Sequence, residues 1–341
     1  MTNTVRNLVE KWNSVGDFSG VISVSVLEDN IYRQTFGCRN RAEELPNRED
    51  TAFAIASGTK LFTALCVCQL IDRGLLSMES RVCDLIGHDT GSINKDVTVL
   101  HLLTHTSGIG DYIDEEASSD YFDILKLYDH RPVHRWDSLV FYLPMFNELP
   151  QKFAPGERFG YSNAGFILLG LVIEAVSGMS YHQFVEQNLI APLGLSHTGF
   201  YRMNNLPGNA ALGYVYNEGR GEWETNVLYM PIVGGSDGGL FTCAADVDKV
   251  WRAILDHSIL SKAMTEQFFA PRVAMSPKEH VGLGVFMREQ VGKRAYYSVG
   301  GDFGVTYTSA YFPKTGIIAA ALGNTEKSVD LLFLQLLDLL G

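Results

Sequence analysis

The sequence predicts an α/β protein of the α+β type, in which an antiparallel β-sheet is flanked by helices from both chain ends and a mainly helical lobe is inserted. Residues 18 to 37 are rich in β-branched side chains around a polar Asp29-Asn30 turn, which indicates a β-hairpin. Near the C-terminus, residues 295 to 299, 306 to 312 and 317 to 322 also have the character of strands. The stretch between these two regions is typical of helices separated by long loops.

The order of these segments predicts how the chain is divided. Residues 1–75 and 231–341 are expected to form one domain that carries the sheet, and residues 76–230 a mainly helical domain. A single core stops growing near the size of this 341-residue chain, which favours two lobes. A cleft between two lobes is a usual place for a functional site.

The helical segments follow from apolar spacing and from the residues that end helices. The predicted helices and their end signals are residues 57 to 73 with Gly74 after the end, 138 to 143 ended by Pro144, 163 to 176 ended by Gly178, 182 to 189, a helix to Leu255 capped by Thr242, and 329 to 340. The turn between the last two predicted strands is Pro313-Lys314-Thr315-Gly316.

Composition excludes several classes of function. The net charge of -12 argues against nucleic acid as a partner and against docking on an anionic membrane. The most apolar stretch, residues 166 to 173, is too short to span a bilayer, so we expect a buried helix. The five cysteines lack metal-ligand spacing and fit free, mostly buried thiols. We expect no metal and no cofactor. We also expect a cytoplasmic location, because the N-terminus lacks the apolar core of a signal peptide.

The chemistry begins with Ser57-Gly58-Thr59-Lys60 at the start of a predicted helix. A serine needs a nearby base to become a nucleophile, and the spacing of three residues puts Ser57 and Lys60 on one helical face. Burial would lower the pKa of Lys60 and let it accept a proton. A serine that caps the helix, followed by a surface lysine, is the alternative for this short motif.

A second candidate group is Tyr161-Ser162-Asn163, directly before the apolar helix. Tyr161 can act as a general base beside an ammonium, and the amide of Asn163 can bind a substrate amide or ester. Alternatively, Asn163 merely caps the helix. A further alternative makes Ser162 a nucleophile, because Gly160-Tyr161-Ser162-Asn163-Ala164 is close to the G-x-S-x-G pattern, but that pattern must follow a strand.

A third group, Ser298-Val299-Gly300-Gly301, lies on a late strand. Its glycines would let a substrate lie against the strand, and the N–H of Gly301 is a candidate donor to an oxyanion. His105 is interpreted as a hydrogen-bonded loop histidine. The glycine-rich residues 234 to 239 lack the lysine and the strand-to-helix context of a phosphate loop.

Together these groups resemble the penicillin-recognising serine hydrolases, specifically the class C β-lactamase-like group, whose signatures are SxxK, YxN and KTG or HxG. The likeness includes residues 53 to 57, residues 102 to 108, residues 155 to 170 and residues 313 to 324, and it runs from about residue 18 to the end. The resemblance implies a β-lactamase/transpeptidase-like fold. It also implies an acyl-enzyme at Ser57, proton transfer by Lys60 and Tyr161, and an oxyanion held by the N–H groups of Ser57 and Gly301.

One departure narrows the expected substrates. Ser298 stands where the family has lysine or histidine, and a serine offers no charge to a substrate carboxylate, unless Lys293 or Arg294 supplies one. We therefore expect a hydrolase of small-molecule esters or amides, within a range that includes β-lactams and D-amino-acid peptides. Asn163, Ser298, Gly300 and Gly301 are the expected substrate-binding residues. The alternative is a penicillin-binding or sensory protein that acylates but turns over poorly.

Overall fold

A computed structural model describes residues 2–14, 16, 18–26, 29–115 and 135–340. The main antiparallel sheet contains eight strands: β1 (Gly20–Val26), β2 (Asp29–Phe36), β9 (Val273–Ser276), β10 (Glu279–Val281), β11 (Phe286–Gln290), β12 (Lys293–Asp302), β13 (Val305–Phe312) and β14 (Ile317–Gly323). Their order is β2-β1-β14-β13-β12-β11-β10-β9, so the strands of the N-terminus pair with the last strand of the chain. This confirms the predicted antiparallel sheet built from both chain ends.

Small strand pairs lie outside this sheet within the described ranges. They are β3 (Cys38–Asn40) with β4 (Leu45–Pro46), β5 (Phe53–Ala54) with β8 (Phe241–Thr242), and β6 (Tyr214–Asn217) with β7 (Glu222–Thr225). The hairpin β6–β7 falls within the predicted helical lobe. The division of the chain at residues 75 and 230 stays a prediction.

The described α-helices number ten. They are α1 (Thr2–Asn13), α2 (Thr59–Asp72), α3 (Val82–Leu85), α4 (Val99–Leu103), α5 (Asn163–Ser177), α6 (Tyr181–Val185), α7 (Ala191–Leu193), α8 (Ala244–Leu255), α9 (Lys262–Phe269) and α10 (Asp330–Leu340).

Helices cover both faces of the sheet, and β14 shows why. Successive side chains of a strand point to opposite faces. Ile318 and Leu322 join the apolar core that contains α2, α5 and α8, whereas Ile317 and Ala319 join a second core beneath α1 and α10. Every residue of β14 is buried, as expected for a strand that is covered on both sides.

Helix α2 is the central helix of the larger core, and it carries Lys60. Its residues from Thr59 to Leu70 are all buried, and it packs against α5 and α9. Gly74 follows its end with a φ of 71°, in the left-handed region that glycine adopts at no steric cost. The predicted helix and its end signal are thus confirmed, although residues 56 to 58 form a 3₁₀ turn before the α-helix begins.

Some local predictions are wrong. Asp29 and Asn30 lie in β2 and do not form the predicted turn, and residues 27 and 28 lie outside the described residues. Residues 138 to 143 form 3₁₀ turns, Leu139–Phe141 and Leu143–Met145, and Pro144 lies inside the second because the first turn of a helix tolerates proline.

Helix boundaries also differ in two places. The predicted helix over residues 182 to 189 is α6 followed by a π-helical turn, Glu186–Ile190. Thr242 does not cap α8, because it lies in β8 and its hydroxyl is hydrogen-bonded to Thr198 Oγ1 at 2.8 Å; Cys243 takes the cap position. By contrast, α5 ends at Gly178 as predicted, and the turn at residues 313 to 316 is confirmed.

Within the described ranges, no single helix has the length and apolar composition of a membrane span. Helix α5 and residues 181 to 193 meet that test only as a pair, which is bent by 76°. All five cysteines are free, as predicted, and three of them are buried.

Candidate active site

Ser57 lies in the 3₁₀ turn Ala56–Gly58, immediately before α2. The turn is held by two backbone hydrogen bonds, from Ile55 N to Leu240 O at 2.9 Å and from Gly58 N to Ile55 O at 2.8 Å. Ala56 has a φ of 44°, a left-handed conformation that is costly for a residue with a Cβ. The surrounding contacts therefore impose this backbone, and they leave Ser57 half-buried at the floor of a cleft.

The hydroxyl of Ser57 is hydrogen-bonded to both predicted partners. Lys60 Nζ donates to Ser57 Oγ at 3.0 Å, and Tyr161 Oη donates to it at 2.9 Å. These distances are within the reach that proton transfer requires. Residues that are 104 positions apart in the chain thus meet at one oxygen atom.

Lys60 is buried, and its ammonium donates to three acceptors. Besides Ser57, these are Asn163 Oδ1 at 2.7 Å and the backbone carbonyl of Asp237 at 2.7 Å. Burial by itself lowers the pKa of Lys60. Tyr161, which favours the ammonium once its hydroxyl is ionised, and the negative charges of the Asp237 and Glu115 carboxylates outweigh burial, so the pKa is raised. The prediction of a lowered pKa is therefore wrong in sign, because it counted burial without the acceptors around the ammonium.

Burial raises the pKa of the Tyr161 hydroxyl, and the positive charge of Lys60 opposes this without cancelling it. Both groups are consequently protonated at neutral pH. The ammonium lies 5.1 Å from the centre of the Tyr161 ring, close enough for the two titrations to be coupled.

His105 positions the segment that carries Tyr161. It is buried, and its ring stacks on that of Tyr161 at 4.6 Å between ring centres. Its Nδ1 accepts from Ser162 N at 3.1 Å, and its carbonyl accepts from Gly160 N at 2.8 Å. Burial, together with the charge of Lys60, lowers the pKa of His105 to about 3, so the ring is neutral. This agrees with the interpretation of His105 as a hydrogen-bonded loop histidine.

The start of α5 decides between the alternatives for Ser162 and Asn163. Ser162 caps the helix, accepting from Gly165 N at 3.0 Å, and no strand precedes it in residues 157 to 161. The interpretation of Ser162 as a nucleophile is therefore wrong. Asn163 does not cap the helix. Its side-chain amide instead bridges Lys60 and Glu115, with Nδ2 at 3.2 Å from Glu115 Oε1.

Two residues of the site gave no signal in the sequence. The carboxylate of Asp111 accepts from Asn163 N at 2.6 Å and from Ala164 N at 3.3 Å, which fixes the start of α5. Burial raises the pKa of Asp111 to about 7. Asp237 contributes its backbone carbonyl to Lys60, and a main-chain role of this kind leaves no mark on side-chain identity.

The third predicted group is only partly brought to the cleft. Gly300 packs on the nucleophile turn so closely that an added Cβ would lie 2.1 Å from Ile55 O and 2.9 Å from Ser57 N. Gly301 lines the cleft together with Ser57. Ser298, however, is 5% exposed and lies opposite Ser309 in the sheet, not among the residues that line the cleft.

Neither neighbouring cation replaces the charge missing at Ser298. Arg294 forms an ion pair with Glu289 at 2.5 Å, and Lys293 donates to the carbonyl of Asp338. The cleft occupies about 1060 Å³, and neither cation lines it. The suggestion that Lys293 or Arg294 supplies a positive charge to the substrate is thus contradicted by their placement.

Comparisons with known proteins identify the family of the chain. The family model described as Beta-lactamase matches residues 5–338. Penicillin-binding protein 4* of Bacillus subtilis is 30% identical over 278 residues, which are 78% of this chain and 59% of that protein. Esterase EstB of Burkholderia gladioli is 36% identical over 174 residues, 50% of this chain and 44% of that protein. The chain thus spans about half the length of these curated relatives.

A solved structure extends the likeness over both chains. The crystal structure of a penicillin binding protein from Bacillus halodurans is 37% identical, with a TM-score of 0.90, and the match covers 98% of this chain and 99% of that one. The fold is therefore β-lactamase/transpeptidase-like, and the chain belongs to the Beta-lactamase family, with relatives named as penicillin-binding proteins and as an esterase.

Proposed function

We propose that this protein is a serine hydrolase that forms an acyl-enzyme at Ser57 during hydrolysis of an ester or amide. The observation that supports it most is the convergence of Lys60 Nζ and Tyr161 Oη on Ser57 Oγ, at 3.0 and 2.9 Å. A serine hydroxyl becomes a nucleophile when a base is within hydrogen-bond distance. Both candidate bases meet that condition here.

The number of protons on Lys60 and Tyr161 suggests which protonation state of the pair is active. Lys60 and Tyr161 both have raised pKa values, so the resting pair carries two protons. Loss of one proton gives a phenolate beside an ammonium, and the phenolate oxygen can then accept the proton of Ser57 as Oγ attacks the carbonyl carbon. Tyr161 next gives this proton to the leaving oxygen or nitrogen, and the scissile bond breaks. Water then hydrolyses the ester at Ser57, with the same pair handling its proton.

An oxyanion would form on the carbonyl oxygen during attack. The close packing of Gly300 on Ser57 N places β12 beside the nucleophile turn, and Gly301 lines the same cleft. The N–H groups of Ser57 and Gly301 are therefore the proposed donors to this oxygen. Donors fixed in rigid backbone stabilise the developing charge without reorganisation.

The substrate is proposed to lack a carboxylate next to the scissile bond. Ser298 is buried and neutral, and Lys293 and Arg294 are engaged elsewhere, so no described cation lines the cleft to receive such a group. This favours esters and amides over substrates that end in a free carboxylate.

Poor turnover is the second candidate. The likeness to proteins named as penicillin-binding, at 30% and 37% identity, favours a protein that acylates and then deacylates slowly. One experiment separates the two candidates: intact-mass measurement after mixing the protein with a short-chain ester, a penicillin or a D-amino-acid amide.

For an efficient hydrolase we expect one transient adduct that disappears as product accumulates. A persistent adduct would instead support the penicillin-binding candidate. Peptide mapping after trapping with a fluorophosphonate should place the adduct on Ser57. An adduct on Ser162 instead would contradict both candidates.

The raised pKa values predict an alkaline pH dependence. Because both Lys60 and Tyr161 are protonated at neutral pH, the singly protonated pair becomes more abundant as pH rises. We expect kcat/KM for a neutral ester to rise by about tenfold per pH unit on the alkaline side of neutrality until the pair has lost its proton. The measurement is a pH–rate profile, with the rate of Ser57→Ala subtracted at each pH. A profile that is flat above neutrality would contradict the assignment of the base.

A further inference from the structure

The ammonium of Lys60 has two further acceptors besides Ser57, and one short segment contacts both of them. Asn163 Oδ1 and the carbonyl oxygen of Asp237 each lie 2.7 Å from Lys60 Nζ. An ammonium has three N–H donors in a fixed arrangement, so the positions of two acceptors decide where the third donor points. The segment that holds these acceptors, residues 111 to 115, therefore bears on the hydrogen bond to Ser57.

Asp111 holds the backbone from which the Asn163 side chain projects. Its carboxylate accepts from Asn163 N at 2.6 Å, from Ala164 N at 3.3 Å and from Ile113 N at 3.1 Å. Asp111 is only 7% exposed, so little water is available to replace these bonds. Hydrogen bonds from N–H groups to a carboxylate are stronger than those to a neutral acceptor, so the charge of Asp111 fixes the start of α5.

The side chain of Asn163 is oriented from the same segment. Its Nδ2 donates to Glu115 Oε1 at 3.2 Å, which leaves Oδ1 facing Lys60 Nζ. The second acceptor is held in a similar way, because Tyr112 Oη donates to Asp237 Oδ2 at 2.5 Å. Both acceptors of the ammonium thus depend on contacts made by this segment.

The charge of Asp111 changes near neutral pH. Burial raises the pKa of Asp111 to about 7, although hydrogen bonds to the carboxylate and the charge of Lys152 oppose the rise. Lys152 is itself paired with Asp114 at 2.8 Å. His105, which accepts from Ser162 N, is neutral, because burial lowers its pKa to about 3. Protonation of the Asp111 carboxyl would place an O–H donor among N–H donors, which weakens its hold on α5.

We propose that Asp111 is a positioning residue for the proton transfer at Ser57: its ionised carboxylate fixes Asn163, and through Asn163 it fixes the direction of the Lys60 ammonium. Neutralising this carboxylate releases the start of α5 and lets Asn163 Oδ1 move away from Lys60 Nζ. The ammonium is then misaligned with Ser57 Oγ. The inference rests on the proposed function, since it concerns the same proton transfer, and it gives Asp111 no contact with the substrate.

The first experiment replaces Asp111 with asparagine, which has nearly the same size but cannot ionise. We expect kcat/KM for a neutral ester at about pH 8 to fall by about 10- to 100-fold, as when a reacting group is misplaced. Asp246→Asn is the matched control. Asp246 is a buried carboxylate that accepts from His197 N at 2.8 Å and from Thr198 Oγ1 at 3.0 Å, and it does not line the cleft. Its loss should lower the melting temperature but leave kcat/KM within about twofold.

The pH profile separates positioning from a loss of stability. Between about pH 7 and about pH 6, protonation of the Lys60–Tyr161 pair alone should lower kcat/KM by about tenfold. In the wild-type protein, protonation of Asp111 should add a further factor of about five. Burial also raises the pKa of Asp302 to about 7, but Asp302 is present in both proteins and cancels from the comparison. The fall should therefore be about fivefold smaller in Asp111→Asn than in the wild-type protein.

A double-mutant cycle tests whether Asp111 acts through Asn163. Asn163→Ala removes the acceptor that Asp111 is proposed to place, so adding Asp111→Asn to this variant should cost less than about twofold more. Asn163→Ala by itself should also show the smaller fall between about pH 7 and about pH 6. This second readout does not depend on the folding of Asp111→Asn.

Three results would overturn the inference while turnover at Ser57 still stands. They are an equal cost of Asp111→Asn with and without Asn163, an equal fall with pH in the wild-type protein and both single variants, and an equal loss of activity in Asp246→Asn. Ester turnover that survives Ser57→Ala would instead overturn the proposed function.

Discussion

Replacing Ser57 with alanine is expected to reduce kcat for a chromogenic short-chain ester by on the order of 10⁴-fold or more. Lys60 and Tyr161 are both hydrogen-bonded to the hydroxyl oxygen of Ser57. Alanine removes this oxygen, so neither group has a nucleophile from which to accept a proton. The same change should abolish the covalent adduct in intact-mass spectra. Stability should change little, because the side chain is small and half-buried.

Ser162→Ala is the matched control for this prediction. Ser162 caps α5, and loss of a capping hydroxyl costs about 1 kcal/mol of stability. This variant should therefore melt at a lower temperature and yet turn over ester far above the level of Ser57→Ala. If Ser162→Ala were the inactive variant and Ser57→Ala the active one, the nucleophile would have been assigned to the wrong residue.

The second large effect is expected at Gly300. In Gly300→Ala the new methyl group would meet Ile55 O at 2.1 Å and Ser57 N at 2.9 Å, and both are backbone atoms that cannot rotate away. Strand β12 must therefore move back from the nucleophile turn, taking the N–H of Gly301 with it. Loss of one oxyanion donor costs about 10²–10³-fold in kcat, and we expect a loss of about 100-fold. Overpacking should also lower the free energy of unfolding by about 1–3 kcal/mol.

Gly208→Ala is the matched control for Gly300→Ala. Gly208 has no heavy atom within 4 Å of an added Cβ, and its φ lies outside the left-handed region. Its kcat should stay within about twofold of the wild-type value, since exposed positions away from the site tolerate such a change. Ester kinetics and thermal unfolding of the two variants give both readouts. Wild-type kcat in a folded Gly300→Ala protein would show that β12 does not supply an oxyanion donor.

Much of the fold was predictable because it depends on local pattern. The strands near both chain ends, the buried helices α2 and α5, and the glycines that end them follow from β-branched runs, apolar spacing and left-handed end residues. The failures lie where tertiary packing overrides local preference. Residues 138 to 143 have helical spacing but pack as 3₁₀ turns, and Asp29 with Asn30 is drawn into β2 by pairing with β1.

The candidate site divides in the same way. Ser57, Lys60, Tyr161 and Asn163 were singled out from motifs, and the structure brings all four together. Ser298 was singled out from a motif as well, but the sheet register buries it away from the cleft. Asp111 and the carbonyl of Asp237 belong to the site through main-chain contacts, which motifs do not encode.

By itself, the sequence determined which side chains can do chemistry and that Ser57 and Lys60 lie close together at the start of one helix, because a spacing of three residues in a helical segment puts two side chains on one face. The tertiary structure alone decided the protonation of Lys60 and Tyr161, because a pKa depends on charges and acceptors from segments far apart in the chain. It also decided that carboxylates line the cleft beside Ser57 and that no described cation does. The sign of the electrostatic potential in a cleft depends on which residues the fold brings to its wall.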